Sequence, residues 1–245
     1  AARGLDPAES LRTLGPRPGE ATLRTEDIEA AIAEEGDRLA LVMLGGVHYY
    51  TGQLLDMARV TRAAHAAGAL AGFDLAHAAG NVPLALHDWG VDFAVWCSYK
   101  YLNAGPGALA GAFIHERHAT DRKIPRFGGW WGNDPDTRFR MHLEPEFVPV
   151  DTADAWQLSN PSVMSLAPLK ASLELFDRAG MAALREKSVH LTGFLEGAVE
   201  AETQGKVRCL TPRAPERRGC QLSLQLPCGA EAAKTFLAAR GIVCD

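Results

Sequence analysis

Four apolar runs of strand length constrain this chain more than any other feature: LALVMLG (39–45), ALAGFD (69–74), VDFAVWCS (91–98) and ALAGAFIHE (108–116). They lack the strict apolar–polar alternation of a half-exposed strand, so they read as strands buried on both faces. Helix signals alternate with them. Thr25 stands as an N-cap, with Glu26 and Asp27 in the favourable first turn and Gly36 closing the helix. Asp56 stands as the cap of MARVTRAAHAA, which ends at Gly68. Apolar strands separated by helices predict an α/β fold, a mostly parallel sheet covered by helices on both faces.

The middle of the chain breaks this pattern. Residues 119–161 hold Pro125, Pro135, Pro145, Pro149 and Pro161 together with FGGWWGND. A loop this long in a compact domain is functional or disordered, and its aromatic residues argue against disorder. Helices are expected again at 162–179 and 181–200. CQLSLQL (220–226) alternates as a half-exposed strand should, a short helix follows at 230–240, and GIVCD reads as the start of another strand. The pattern predicts a large domain over 1–180 and a smaller α+β domain over 181–245.

Several function classes are disfavoured. The 25 basic and 30 acidic residues give a formal net charge of -5, and no long basic run appears, which argues against a nucleic-acid partner. No apolar stretch reaches the ~18 residues of a membrane span. The start, AARGLDPAES, has neither the basic residues nor the apolar segment of a secretory signal. Five cysteines, without a C-x-x-C pair, read as reduced thiols in a cytoplasmic protein and not as a disulfide or metal framework.

Chemistry concentrates at SYKYLNAGPG (98–107). Lys100 follows a buried strand, between two tyrosines. Burial disfavours the charged amine, and an amine so tuned can attack a carbonyl and hold it as a Schiff base. The other reading is a lysine that snorkels to solvent from a strand end. Asp74 ends the preceding strand, so both residues sit on the rim where open α/β sheets bind ligands. An aspartate there can keep a pyridinium nitrogen protonated, or it can cap the segment that follows. His77, three residues on, could reach the same ligand or be a satisfied interior histidine. NAGPG is no phosphate-cradling P-loop, because the lysine precedes the glycines.

GVHYYTGQ, GFDLAHAAGNV, LHDWGVDFAVWCSYKYLNAGPG, AGAFIHE and RGCQL resemble the kynureninase family, pyridoxal-phosphate enzymes of the aspartate-aminotransferase-like fold (fold type I). The resemblance implies hydrolysis of L-kynurenine or 3-hydroxykynurenine to anthranilate or its 3-hydroxy form and L-alanine, in tryptophan catabolism. It implies pyridoxal 5'-phosphate as cofactor and a homodimer. It makes Lys100 the Schiff-base lysine and α-proton base, Asp74 the partner of the ring nitrogen and His77 a cofactor contact. Tyr99 becomes a phosphate ligand with a further role as proton donor. Trp130 becomes a cofactor contact and Asn160 a contact to cofactor and substrate. Trp130 could equally be a packing anchor, and Asn160, before a proline, part of a turn.

Two departures from the family stand out. Gly45 occupies a position where the family often has serine. Family members also extend beyond both ends of this chain, with further phosphate contacts and a ring-stacking aromatic on one side and a carboxylate-binding arginine on the other. Both domains are therefore expected to be partial, and these 245 residues alone a poor catalyst. Competing expectations are a cysteine-desulfurase-like lyase, which wants a reactive cysteine in a mobile loop, and a folded but inactive remnant.

Overall fold

Each secondary-structure element begins where the chain supplies a partner for orphan backbone groups. The computed structural model describes residues 4–244. Asp6 starts a short helix, α1 (Pro7–Ser10), by accepting from the Ala8 amide at 2.9 Å. In α2 (Thr25–Glu35), Thr25 is already the first helical residue and Arg24 holds the cap position without a side-chain bond. The expected threonine cap is therefore absent; Arg24 pairs with Glu20 instead. Strand β1 (Leu41–Gly45) follows, then α3 (Met57–Ala66), where Asp56 caps as expected by accepting from the Arg59 amide at 2.9 Å. Strands β2 (Leu70–Asp74), β3 (Phe93–Trp96) and β4 (Gly111–Ile114) complete the sheet, and the one-turn α4 (Glu116–Ala119) leaves it.

The strand order is β1-β2-β3-β4; the first three run parallel and β4 runs antiparallel to β3. The parallel strands end together, with Gly45 beside Asp74 and Asp74 beside Val95. One edge of the sheet therefore carries all three following turns.

On one face, Val42, Ala71, Phe73 and Ala94 meet Ile28 and Ile32 of α2 and Val60 and Ala64 of α3 in a single buried core. A fully buried side chain of this kind contributes about 1.5–3 kcal/mol. On the other face Leu41 and Met43 are 43% exposed, Leu70 45% and Val95 42%. The expectation of a sheet covered on both faces does not hold among the described residues. An apolar run reports what a strand could bury, and not what packs on it.

Residues 119–161 are tied down by arginines on carbonyls. Arg126 donates to the carbonyls of His118, Ala119 and Asp121 and lies 4.1 Å from the Trp156 ring centroid. Arg138 donates to Trp131 O at 2.6 Å and Asn133 O at 3.1 Å. Two helices follow, α5 (Val163–Ala179) and α6 (Met181–Thr203), then a two-stranded antiparallel sheet of β5 (Arg208–Cys209) and β6 (Leu224–Gln225), and α7 (Ala230–Ala238). The expected strand over 220–226 shrinks to two residues because Cys220, Gln221 and Ser223 bond to other segments. Residues 242–244 form no strand, and Asp245 lies outside the described residues. No described helix is long and apolar enough to cross a membrane.

At the edge opposite the strand-end turns, Asp92 is 2% exposed. Its carboxylate accepts from the Ala71 amide at 2.7 Å and bonds His65 Nε2 at 2.8 Å, His118 Nε2 at 2.6 Å and the Arg117 guanidinium. Burial alone would push this acid up, but the Ala71 amide, Arg117 and the two histidines outweigh it and hold it well below the usual carboxylate range. An acid depressed in the folded state stabilises the fold above its unfolded pKa, and that contribution is lost as pH falls below about 4. Asp92→Asn in the full-length protein should cost about 3 kcal/mol or more in urea unfolding at neutral pH, since the Arg117 guanidinium is left uncompensated. The deficit should shrink below about pH 4; a pH-independent deficit would contradict this role.

Candidate active site

Three turns leave the common edge of the parallel strands. The first, 46–53, carries His48 and Tyr49; the second, 75–82, carries His77; the third, 97–104, carries Tyr99, Lys100 and Tyr101. Backbone pairing continues past the strands, with the Gly46 amide donating to Asp74 O at 2.9 Å and the Leu75 amide to Val95 O at 2.8 Å. The Lys100 turn is closed by bonds from Asn103 N to Lys100 O and from Ala104 N to Ser98 O, both 3.0 Å. Ser172 of α5 donates to Leu102 O and fastens the same turn to the helix.

Gly80 lets the second and third turns touch. Its φ is +81°, and a Cβ there would lie 2.8 Å from the backbone C and O atoms of Tyr101. No side chain fits that gap, and the left-handed backbone itself favours glycine. The close approach brings Lys100 Nζ to 3.0 Å from His77 Nε2. Burial first, then the charge of Lys100, push the His77 imidazole below its ordinary value. The neutral ring accepts from the Lys100 ammonium through Nε2, so its proton sits on Nδ1, which is buried without a partner among the described residues. Lys100 itself is half-buried, less enclosed than its apolar neighbours in sequence suggest.

Asp74 is exposed at the end of β2. One carboxylate oxygen accepts from the Ala76 amide at 2.8 Å within a turn, no helix following β2, and the other has no partner among the described residues. The helix-cap reading of Asp74 therefore does not hold, and its second oxygen remains available to a ligand. Tyr99 is 52% exposed and hydrogen-bonded to Cys97, which pushes its phenol up. The rings of Tyr49 and Tyr101 flank His77 at 6.3 and 5.8 Å between centroids.

The structure does not bring Trp130 and Asn160 into contact with this group. Trp130 packs edge-on against Phe139 at 5.6 Å, with the Arg138 guanidinium 5.1 Å from its centroid. Asn160 is exposed ahead of Pro161. Neither makes a hydrogen bond or ring contact with Asp74, His77, Tyr99 or Lys100 among the described residues. Gly80, His48 and Tyr49 are the residues that sequence reasoning missed. The only trace of the first was a glycine three residues after His77.

Residues 184–245 match the family model described as Kynureninase C-terminal domain. The chain is 55% identical, over 99% of its length, to a protein from Salinispora tropica named Kynureninase, and covers 57% of that relative. It is 57% identical to one of the same name from Myxococcus xanthus, over 99% of this chain and 56% of the relative. Its sequence is kynureninase-like throughout. The chain spans little more than half the length of the curated relatives it matches.

Among solved structures, the cystine C-S lyase C-DES in complex with cysteine persulfide superposes with a TM-score of 0.70 at 23% identity, over 88% of this chain and 56% of that one. An apo cysteine desulfurase from Thermococcus onnurineus NA1 gives 0.67 at 20% identity, over 92% and 53%. At these identities the likeness shows the shared α/β fold alone. A kynureninase-like sequence thus sits on a fold used by several lyases, with Lys100, His77 and Asp74 at the common strand edge.

Gly68 gives a control for the Gly80 contact, since it has nearly the same φ (+80°) but open space around it. Both glycine-to-alanine changes force a side chain into a left-handed backbone, and only Gly80→Ala also drives a Cβ into the Lys100 turn. Thermal unfolding of the full-length protein should show Gly80→Ala to be about 1–3 kcal/mol more destabilising than Gly68→Ala. Equal losses would mean that the two turns are not in forced contact.

Proposed function

We propose that this chain is the cofactor-bearing part of a kynureninase, acting on L-kynurenine or its 3-hydroxy form with pyridoxal 5'-phosphate. The observation that carries the reading is the amine of Lys100 against a neutral His77, one strand away from a carboxylate with a free oxygen. These residues fit the cofactor. Asp74 offers an anionic acceptor for a ring N–H, and Lys100 offers an amine for an aldehyde. Beside Asp74, a Cβ on Gly45 would make ordinary contact, 3.6 Å from Val47 O and 4.0 Å from Asp74 O. The Cβ of a serine is thus accommodated at that position, and with glycine there the hydroxyl contact is absent.

Pyridoxal phosphate, when bound, supplies an aldehyde for amines and a protonated ring that takes up an electron pair. Lys100 would hold it through its amine, and the free amine can take and return a proton at the substrate α-carbon. His77 is neutral, so it orients the Lys100 amine through Nε2 without adding a positive charge beside the ring. Asp74 keeps the ring nitrogen protonated. Tyr99, with its phenol held in the protonated form, donates to the phosphate and can deliver a proton. Asn160 and Trp130 act from the 119–161 loop, on the cofactor and, for Asn160, on the substrate ring. Water is consumed, and the aryl carboxylate and L-alanine leave.

The same reading divides the chain into a large unit over 1–180 and a smaller one over 181–245. It makes the protein a cytoplasmic homodimer; the five free cysteines support the compartment. Sedimentation of the full-length protein tests the dimer.

Borohydride reduction of the cofactor-loaded full-length protein, followed by peptide mapping, should label the peptide that contains Lys100. A label on Lys170 or Lys187 would refute the assignment. Asp74→Ala should lower turnover of kynurenine on the order of 10³-fold, as loss of a preorganised electrostatic partner does. His77→Ala should lower it far less, and near-normal turnover in Asp74→Ala would contradict the mechanism. Asn160→Ala should change the kcat/KM ratio for 3-hydroxykynurenine over kynurenine by about two- to twelve-fold, the worth of one hydrogen bond. An unchanged ratio would remove Asn160 from the substrate.

A further inference from the structure

The RGCQL stretch has no part in the site described so far, yet it touches two of its three turns. The Gly219 amide donates to Gly52 O at 3.1 Å, and Gln221 Nε2 donates to Tyr49 O at 2.9 Å and Tyr50 O at 3.2 Å. The Cys220 amide donates to Asn81 Oδ1 at 2.9 Å, and the same carboxamide donates through Nδ2 to His77 O at 2.9 Å. Asn81 is only 5% exposed, and both bonds are partly buried. Gly219 permits the contact, because a Cβ there would lie 2.5 Å from Asn81 Nδ2.

The other end of the strap is anchored in α6. Arg218 is 2% exposed and pairs with Glu196 of that helix at 2.6 Å. Arg185 of the same helix donates back to Arg218 O at 2.8 Å. A path of bonds therefore runs from α6 through residues 218–221, partly buried toward His77 and exposed toward Tyr49 and Tyr50. One branch reaches the Tyr49–Tyr50 turn and the other reaches His77. The two branches meet again where the Tyr49 ring stands beside the His77 ring.

We propose that Asn81 and Gln221 are positioning residues: they set where His77 and Tyr49 stand beside Lys100 according to the placement of α6. A shift of α6 relative to the sheet moves the strap, and the strap moves both turns together. Asn81 governs His77, and so the hold on the cofactor. Gln221 governs Tyr49, whose 69% exposed ring is free to meet a flat substrate. The roles toward cofactor and substrate rest on the proposed function; the mechanical coupling does not.

The test uses the full-length protein with Asn81→Ala, Gln221→Ala and, as a control of similar stability loss away from the site, Ile32→Val. In the cofactor-free form, amide hydrogen exchange should rise at 46–54 in Gln221→Ala and at 75–82 in Asn81→Ala, and in neither segment in the control. In the loaded form, Asn81→Ala should weaken pyridoxal-phosphate binding about tenfold, as expected for a buried hydrogen-bond partner removed. Gln221→Ala should raise KM for kynurenine about three- to tenfold with kcat nearly unchanged. Unchanged exchange in both segments, or the same change in Ile32→Val, overturns the coupling. Faster exchange with unchanged cofactor affinity and KM makes the strap merely structural and overturns the positioning role. If Asn81→Ala does not fold, Gln221→Ala decides through segment 46–54 and KM. If the wild-type protein binds no pyridoxal phosphate, the functional reading fails, and the exchange data still decide the coupling.

Discussion

The hydrogen bond between Lys100 and a neutral His77 at 3.0 Å is the interaction on which the rest of this site depends. It joins two turns that follow different strands. It can form only because β2 and β3 are parallel and end at the same edge, and because Gly80 lets one turn rest on the backbone of the other. The core under α2 and α3 fixes the strands, Ser172 fixes the Lys100 turn, and Asn81 holds the His77 turn. An amine placed in this way keeps both its reach and its orientation.

Acidic groups at the two ends of the sheet are treated in opposite ways. Asp92 is buried, and its carboxylate is bonded by the Ala71 amide, His65, His118 and Arg117. Such a group stabilises the fold and has no capacity left for a ligand. Asp74 stays exposed, makes one local bond and leaves an oxygen without a partner among the described residues. That contrast, and not the presence of an aspartate, marks the candidate site edge. A perturbed group in a structural network and an available one at a strand rim are different things.

Much of this was legible in the sequence because it rests on local pattern. The apolar runs become β1 to β4, Asp56 caps α3 and Gly36 ends α2. Lys100, Asp74 and His77 could be paired because strand ends in a parallel sheet share a rim. What was not legible depends on contacts across the chain. Arg24, paired with Glu20, holds the cap position, and Thr25 is already helical. The open sheet face, with Leu41, Met43, Leu70 and Val95, cannot be told from a covered one by composition. Gly80 looks like any loop glycine until Tyr101 is placed against it, and Asn81 shows no periodicity that would link it to Cys220, 139 residues later. Trp130 could be read as a ligand contact or an anchor, and its packing on Phe139 and Arg138 accounts for its burial without a ligand.

The pairing of Lys100 with a neutral His77 is best tested by following the His77 ring nitrogens by NMR across pH in the cofactor-free full-length protein. The account predicts a ring protonated on Nδ1 that titrates below the ordinary value of about 6.5, and a titration that moves upward in Lys100→Met. A His77 that titrates at or above the ordinary value, or that is indifferent to Lys100→Met, would contradict it.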